Sequence, residues 1–314
     1  MAQEKIRVAI LAGGISAERE VSISSGNQVR NALDPNKYEV FMYDPATDLL
    51  KLAQDSKNID VAIIMLHGRG GEDGIMQGFL EALGIPYQGS GVLGSALAMN
   101  KIISKRLYVQ AGLPVAPYMV CHRGTIPDER KIMEKIGLPL VVKPEQEGSS
   151  IGVTIVREFK DLKQAMEEAW SYDKRCLIEK YIPGREITVG VLGNNPPQAL
   201  PPVEIRPSSN FEFFDYKAKY QAGATEEICP APISEHLTLK CQEYALKAHE
   251  ALHCEDYSRT DMILHDGEFY VLETNTIPGM TATSLFPQAA RAAGISFPEL
   301  IEILIKLAME KRKK

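Results

Sequence analysis

The chain has 314 residues, with 35 Lys and Arg against 41 Asp and Glu and a formal charge of −6. At 45% hydrophobic and 24% charged residues it can fill the core of about two ordinary domains, which excludes a disordered chain. The acidic balance argues against nucleic-acid and membrane-surface roles, and no stretch approaches the ~20 apolar residues of a membrane span.

The first residues, MAQEKIRVAILAGG, carry too short an apolar run for a signal peptide. Five scattered cysteines with no C-x-x-C pair support neither a disulfide framework nor a zinc knuckle. The expectation is a cytoplasmic protein with reduced thiols. Strand-length apolar runs then alternate with helical periodicity: strand 7–11, helix 18–33, strand 39–43, a helix, strand 60–66, helix 76–83. Such βαβ units form a parallel, Rossmann-like sheet, an α/β arrangement. Gly13-Gly14 follows the first strand but lacks the third glycine of the nicotinamide-nucleotide fingerprint. A helix N-terminus there suits anions, whereas Glu18 suits an ammonium group. His67, in LHGRGGEDG after the third strand, sits where α/β sheets place ligands; a satisfied structural histidine is the alternative.

From Asn100 the pattern becomes α+β. It predicts helix 101–111, strand 117–121, helix 128–136, strand 138–143, strand 153–157 and helix 159–171. Strands 176–182 and 186–193 follow, joined by Pro183-Gly184 and read as a hairpin. Segment 207–232 has no sustained period and carries FEFFDYKAKYQAGATEE, the length and composition of a lid. Helix 234–252 follows, and Ser296 and Glu299 have capping-box spacing at the start of the last helix.

Two groups of residues carry chemistry. In RTDMILHDGEFYVLETN, two apolar strands flank Asp266-Gly267, yet Arg259, Asp261, Glu273 and Asn275 interrupt them. Burying these groups is costly unless they bind something. Asp, Glu and Asn are hard oxygen donors suited to Mg²⁺ or Mn²⁺; an internal ion network is the alternative. Strand parity puts Asp261 opposite Glu273 only with an odd loop, expected as Asp266-Gly267-Glu268. The second group is Lys143, closing an apolar strand, with Gly148, Ser149 and Ser150 after it, and Lys101 opening a helix. Glycine-rich backbone and lysine charge suit phosphate, although the spacing is not that of the common P-loop. Glu179, Lys180 and Ile182, between two strands, could meet an adenine, and Glu186 ribose hydroxyls.

In this order, AGGISAEREVS, LHGRGGEDG, GSGVLGSALAMNK, VVKPEQEGSSIGV, DYKAKY, CPAP, RTDMI and LETNTIPGMTATSLFP make nearly the whole chain resemble the D-alanine–D-alanine ligases of the ATP-grasp superfamily. The resemblance implies three domains, placed at 1–99, 100–182 and 183–314. It implies ligation of two D-alanine molecules through an acyl phosphate, for peptidoglycan precursor synthesis. Asp261, Glu273 and Asn275 would ligate two Mg²⁺ or Mn²⁺. Lys101 and Lys143 would bind phosphates, and Glu179, Lys180, Ile182 and Glu186 the nucleoside. Glu18 would hold the first ammonium, Arg259 and the Gly279 amide the oxyanion, and Ser284 with Leu285 the second carboxylate. Lys219 and Tyr220 would sit on the mobile loop, Tyr220 linked to Ser149 and Glu18 and favouring an amine acceptor. A homodimer is implied too. The alternatives are a related ligase that uses D-lactate or D-serine, and a nucleotide-binding dehydrogenase built on the first sheet.

Overall fold

The computed structural model describes residues 4–207 and 225–311. Ile6–Leu11 (β1), Tyr38–Tyr43 (β2) and Val61–Ile64 (β3) form a parallel sheet in the order β2-β1-β3. Val8, Ala9, Ile10 and Leu11 are all fully buried, as befits a central parallel strand covered on both faces. Helices Arg19–Ala32 (α1), Leu49–Asp55 (α2) and Ile75–Leu83 (α3) connect and follow these strands.

Val92–Met99 (α4) and Lys101–Gln110 (α5) come next. Asn100 separates them in an extended conformation, and its side chain caps α5 by accepting from the Ile103 amide. The sequence pattern gives helix 76–83 and then helix 101–111 with none between; the break between α4 and α5 is one residue, too short to leave a turn signal.

The second sheet has the order β4-β7-β5-β6, all antiparallel. Its strands are Tyr118–His122 (β4), Leu140–Pro144 (β5), Thr154–Val156 (β6) and Arg175–Lys180 (β7). Helices Glu129–Lys135 (α6) and Phe159–Tyr172 (α7) bury Ile132, Met166 and Trp170 against Leu140, Val142 and Ile178.

The third sheet contains Arg185–Leu192 (β8), Gln198–Ala199 (β9), Val203–Pro207 (β10), Thr225–Ile228 (β11), Tyr257–His265 (β12) and Glu268–Asn275 (β13). Its order is β11-β10-β8-β12-β13, with β9 also paired to β8. Helix Glu235–Ala251 (α8) covers one face together with α4 and α5. Leu285–Ala292 (α9) and Phe297–Lys311 (α10) follow β13, and α10 packs Leu300, Leu304 and Ile305 with Val8, Ile10 and Ile63 of the first sheet. The capping box at α10 forms: Glu299 accepts from the Ser296 amide at 2.8 Å and Ser296 Oγ from the Glu299 amide at 3.5 Å.

Three expectations are corrected. Strands β7 and β8 are not a hairpin; they lie in different sheets. Both edges of β7 are already taken by β4 and β5, and Pro183 lacks the N–H a hairpin partner would need. Segment 207–232 is not all loop, because β11 pairs with β10 and sets Glu226 opposite Arg206. Lys219 and Tyr220 lie outside the described residues.

The third correction concerns the metal hairpin. Its turn has two residues: His265 pairs with Glu268, and Asp266 and Gly267 have φ of 48° and 80°, the signature of a type I′ turn. Asp261 nevertheless faces Glu273, because the register shifts between Asp261 and Met262 and Leu272 is the extra residue. Ahead of the bulge, Phe269 and Val271 share the apolar face with Met262 and Leu264. Beyond it, Glu273 and Asn275 are turned onto the face of Arg259 and Asp261. One bulge thus serves a dry core and a polar site on the same strand.

Candidate active site

The three sheets converge on one cleft of about 650 Å³. Its wall includes Glu18, His67, Lys101, Gly148, Ser149, Arg259, Glu273, Asn275, Gly279, Ser284 and Leu285, as well as Glu72, Glu147 and Glu227, which the sequence reading did not single out.

The first sheet supplies Glu18, at the start of α1, and the loop after β3. His67 is buried and hydrogen-bonds the Ile277 backbone. Its Nε2 carries no hydrogen bond among the described residues. Burial lowers the imidazole pKa, so the ring is neutral and offers Nε2 as an acceptor. Glu72 accepts from the Gly68 amide at 2.6 Å. Burial, and then the charge of Glu18, push its carboxyl up to about 8. Because this group binds its proton more tightly when folded, its stabilising contribution is full below the ordinary carboxylate range. It is lost as pH rises through about 8. Glu72→Gln keeps the shape of the protonated acid, so the wild-type fall in thermal midpoint between pH 5 and pH 9 is expected to flatten in the variant.

The second sheet supplies the phosphate-type elements. Ser149 and Ser150 occupy the left-handed region, with φ of 48° and 59°. Ser149 Oγ donates to the Glu18 carboxylate, and Lys101 Nζ to the Glu147 carbonyl. Lys143 and Glu179 form a buried cluster with Lys105: Glu179 lies 3.1 Å from Lys105 and 3.5 Å from Lys143. Burial alone would raise the Glu179 carboxyl, but the two lysines outweigh it and hold it below its ordinary value. Lys105 is 1% exposed. Its signal in the sequence is a lysine on the apolar face of α5, four residues after Lys101 and three before Tyr108. The Glu179 carboxylate is thus held by two lysines, and its strand is paired on both sides. The Lys180 amide is likewise taken by the Pro117 carbonyl. Ile182 lies on the segment crossing to the third sheet, and Glu186 follows on β8.

The third sheet supplies the hard-oxygen face. Arg259 donates to both oxygens of Asp261, at 2.9 and 2.8 Å, and Thr188 donates to Asp261 Oδ1. Burial disfavours the Arg259 charge, but Asp261 more than compensates and raises its pKa. Part of the ion-network alternative is therefore realised. Oδ1 thus accepts twice, from Arg259 and Thr188, whereas Oδ2 accepts from Arg259 and has a second lone pair to offer. Glu273 stands 3.5 Å from Lys101, and Asn275 Oδ1 accepts from the Ile277 amide.

Among the described residues there is no cluster of three His, Cys, Asp or Glu that could hold a metal. Two carboxylates and one amide on a single face nevertheless fit Mg²⁺ or Mn²⁺, which complete their shell with substrate phosphates and water. At the far end, Ser284 Oγ accepts from the Thr281 amide at 3.1 Å. A side chain at Gly279 would come within 3.0 Å of Ser284 Oγ, so glycine keeps that backbone accessible.

Such a cleft has a seat for an ammonium, cations and amides for phosphates, and a largely buried guanidinium near a half-buried carboxylate. It is equipped to transfer a phosphoryl group and stabilise an oxyanion.

Comparison with known proteins agrees. Residues 107–306 match the family model described as D-ala D-ala ligase C-terminus, and residues 44–90 the model described as D-ala D-ala ligase N-terminus. The D-alanine–D-alanine ligase of Syntrophobacter fumaroxidans is 64% identical over 310 residues, 99% of this chain and 100% of that one. That of Desulfotalea psychrophila is 51% identical, covering 99% of this chain and 97% of its own. The crystal structure of the Bacillus anthracis ligase complexed with ATP has a TM-score of 0.86 at 36% identity, over 98% of this chain and 99% of that one. The VanG D-Ala:D-Ser ligase from Enterococcus faecalis has a TM-score of 0.84 at 31% identity, over 97% and 100%.

Proposed function

The chain belongs to the D-alanine–D-alanine ligase family, and from that premise we propose how its residues carry out the reaction. It is an ATP-dependent, ADP-forming ligase that joins two D-alanine molecules. The observation that carries the assignment of roles is convergence: residues of all three sheets line one cleft.

A carboxylate resists amines because oxide is a poor leaving group. An oxygen of the first D-alanine carboxylate attacks the γ-phosphorus and ADP departs, leaving an acyl phosphate. The amine of the second D-alanine adds to its carbonyl, the tetrahedral intermediate expels phosphate, and a proton is released. Glu18 and the His67 acceptor hold the first ammonium. Lys101, Lys143 and the amides of Gly148, Ser149 and Ser150 hold the phosphates. Segment 179–182 borders the adenine, and Glu186 meets the ribose. Asp261, Glu273 and Asn275 would hold divalent cations, Mg²⁺ or Mn²⁺, which neutralise charge along the triphosphate when bound. Arg259 and the Gly279 amide stabilise the oxyanion. Ser284 and Leu285 receive the second carboxylate. Excluding water protects the acyl phosphate from hydrolysis.

The domains follow the limits 1–99, 100–182 and 183–314, each holding one sheet. Exposed Ile75 and Leu93 on neighbouring helices suit self-association as a homodimer, and five free thiols suit the cytoplasm.

Product analysis tests the assignment. Purified protein with ATP, Mg²⁺ and equal D-alanine, D-serine and D-lactate is expected to yield D-alanyl-D-alanine as the main product. A mixed dipeptide or depsipeptide in excess would reassign the acceptor, and ATP hydrolysis without ligation would overturn the assignment.

A further inference from the structure

We propose that Arg69 is a positioning residue that ties the turn 147–150 of the second sheet to the first-substrate loop 66–72, so that filling one site favours the seating of the other. This rests on the ligase assignment above.

Arg69 lies between His67 and Glu72 in the loop after β3, yet its guanidinium reaches across to the second sheet. Its Nε is 2.7 Å from Glu147, and its Nη2 is 2.6 Å from Asp173 and 3.2 Å from the Tyr172 carbonyl. The second oxygen of Asp173 accepts from the Gln146 amide at 2.8 Å. One side chain of the first sheet thus braces both the entrance to the turn and the end of α7.

The turn needs such bracing. Ser149 and Ser150 hold left-handed backbone angles that residues with a Cβ avoid, and such a conformation persists where its surroundings over-determine it. Lys101 on the Glu147 carbonyl and Glu18 on Ser149 brace the turn as well, and both are residues of the cleft wall. Burial weakens the acidity of the Glu147 carboxyl, Arg69 opposes that, and the nearby Asp173 charge adds to it. Without Arg69, two neighbouring carboxylates lose their shared cation, and relaxation of Glu147 shifts the turn relative to both Lys101 and Glu18. Phosphate on the turn and amino acid at the loop therefore stabilise the same closed arrangement, which is positive coupling between the two sites.

Titration calorimetry of the full chain with the non-hydrolysable nucleotide AMP-PNP and Mg²⁺, with and without D-alanine, tests this. In the wild type D-alanine is expected to tighten AMP-PNP binding. In Arg69→Ala that tightening should shrink by about tenfold, beyond any loss of affinity seen without D-alanine, while the thermal midpoint changes little. Arg69→Lys should restore part of it. Asp173→Asn should reproduce the loss, with no further loss when combined with Arg69→Ala. Wild-type tightening retained in Arg69→Ala overturns the coupling role alone. Failure of the wild type to bind AMP-PNP overturns the ligase assignment and this proposal with it.

Discussion

Glu273→Gln is expected to lower kcat by roughly a thousandfold, about 4 kcal/mol of transition-state stabilisation, with a thermal midpoint near that of the wild type. The amide is isosteric, and the Glu273 side chain is 34% exposed, so the fold loses little. The site loses the charge that would hold a divalent cation opposite Asp261 and that balances Lys101 at 3.5 Å. A change in KM alone would mean that Glu273 contributes equally to the ground and transition states. Turnover at saturating ATP and D-alanine, measured alongside thermal unfolding, separates the outcomes; wild-type kcat would contradict the assignment.

Glu179→Gln should fail for a different reason. Glu179 neutralises Lys105, which is almost wholly buried, and also positions Lys143. Removing one partner of a buried pair leaves an uncompensated charge and costs about 3–5 kcal/mol. For a chain of this size that corresponds to a drop of roughly 5–10 °C in thermal midpoint. Nucleotide affinity should fall as well, since Lys143 loses its anchor. Adding Lys105→Met removes the stranded ammonium, so the double variant should recover much of the lost stability but not the nucleotide affinity. A double variant no more stable than Glu179→Gln alone would show that Lys105 is not the source of the loss.

These two cases mark what was legible in the sequence. The parallel sheet, most helices and the placing of Asp261 opposite Glu273, with Asn275 on the same face, followed from periodicity and from charged residues in apolar strands. Parity required one odd residue between Asp261 and Glu273. That residue is Leu272 at the bulge rather than a longer turn, because the type I′ turn keeps Phe269 and Val271 in the core. No local pattern distinguishes these two solutions; the choice is made by packing across the sheet. The separation of β7 from β8 was hidden for a similar reason, since occupancy of a strand's edges is a long-range property. Lys105 was passed over because its significance lies in burial, and Glu72 because its significance lies in its packing near Glu18; a single sequence gives only composition and spacing. His67 lies on the cleft wall, at the strand end where the sequence put it, and its hydrogen bond to the Ile277 backbone came only with the fold.

The most direct test follows one oxygen. With D-alanine labelled by ¹⁸O in its carboxylate, an acyl phosphate intermediate requires that the attacking oxygen leave with phosphorus. Mass spectrometry of the inorganic phosphate from one round of dipeptide synthesis is therefore expected to show one ¹⁸O per phosphate. Dipeptide formed alongside unlabelled phosphate would contradict phosphoryl transfer to the amino acid in this cleft.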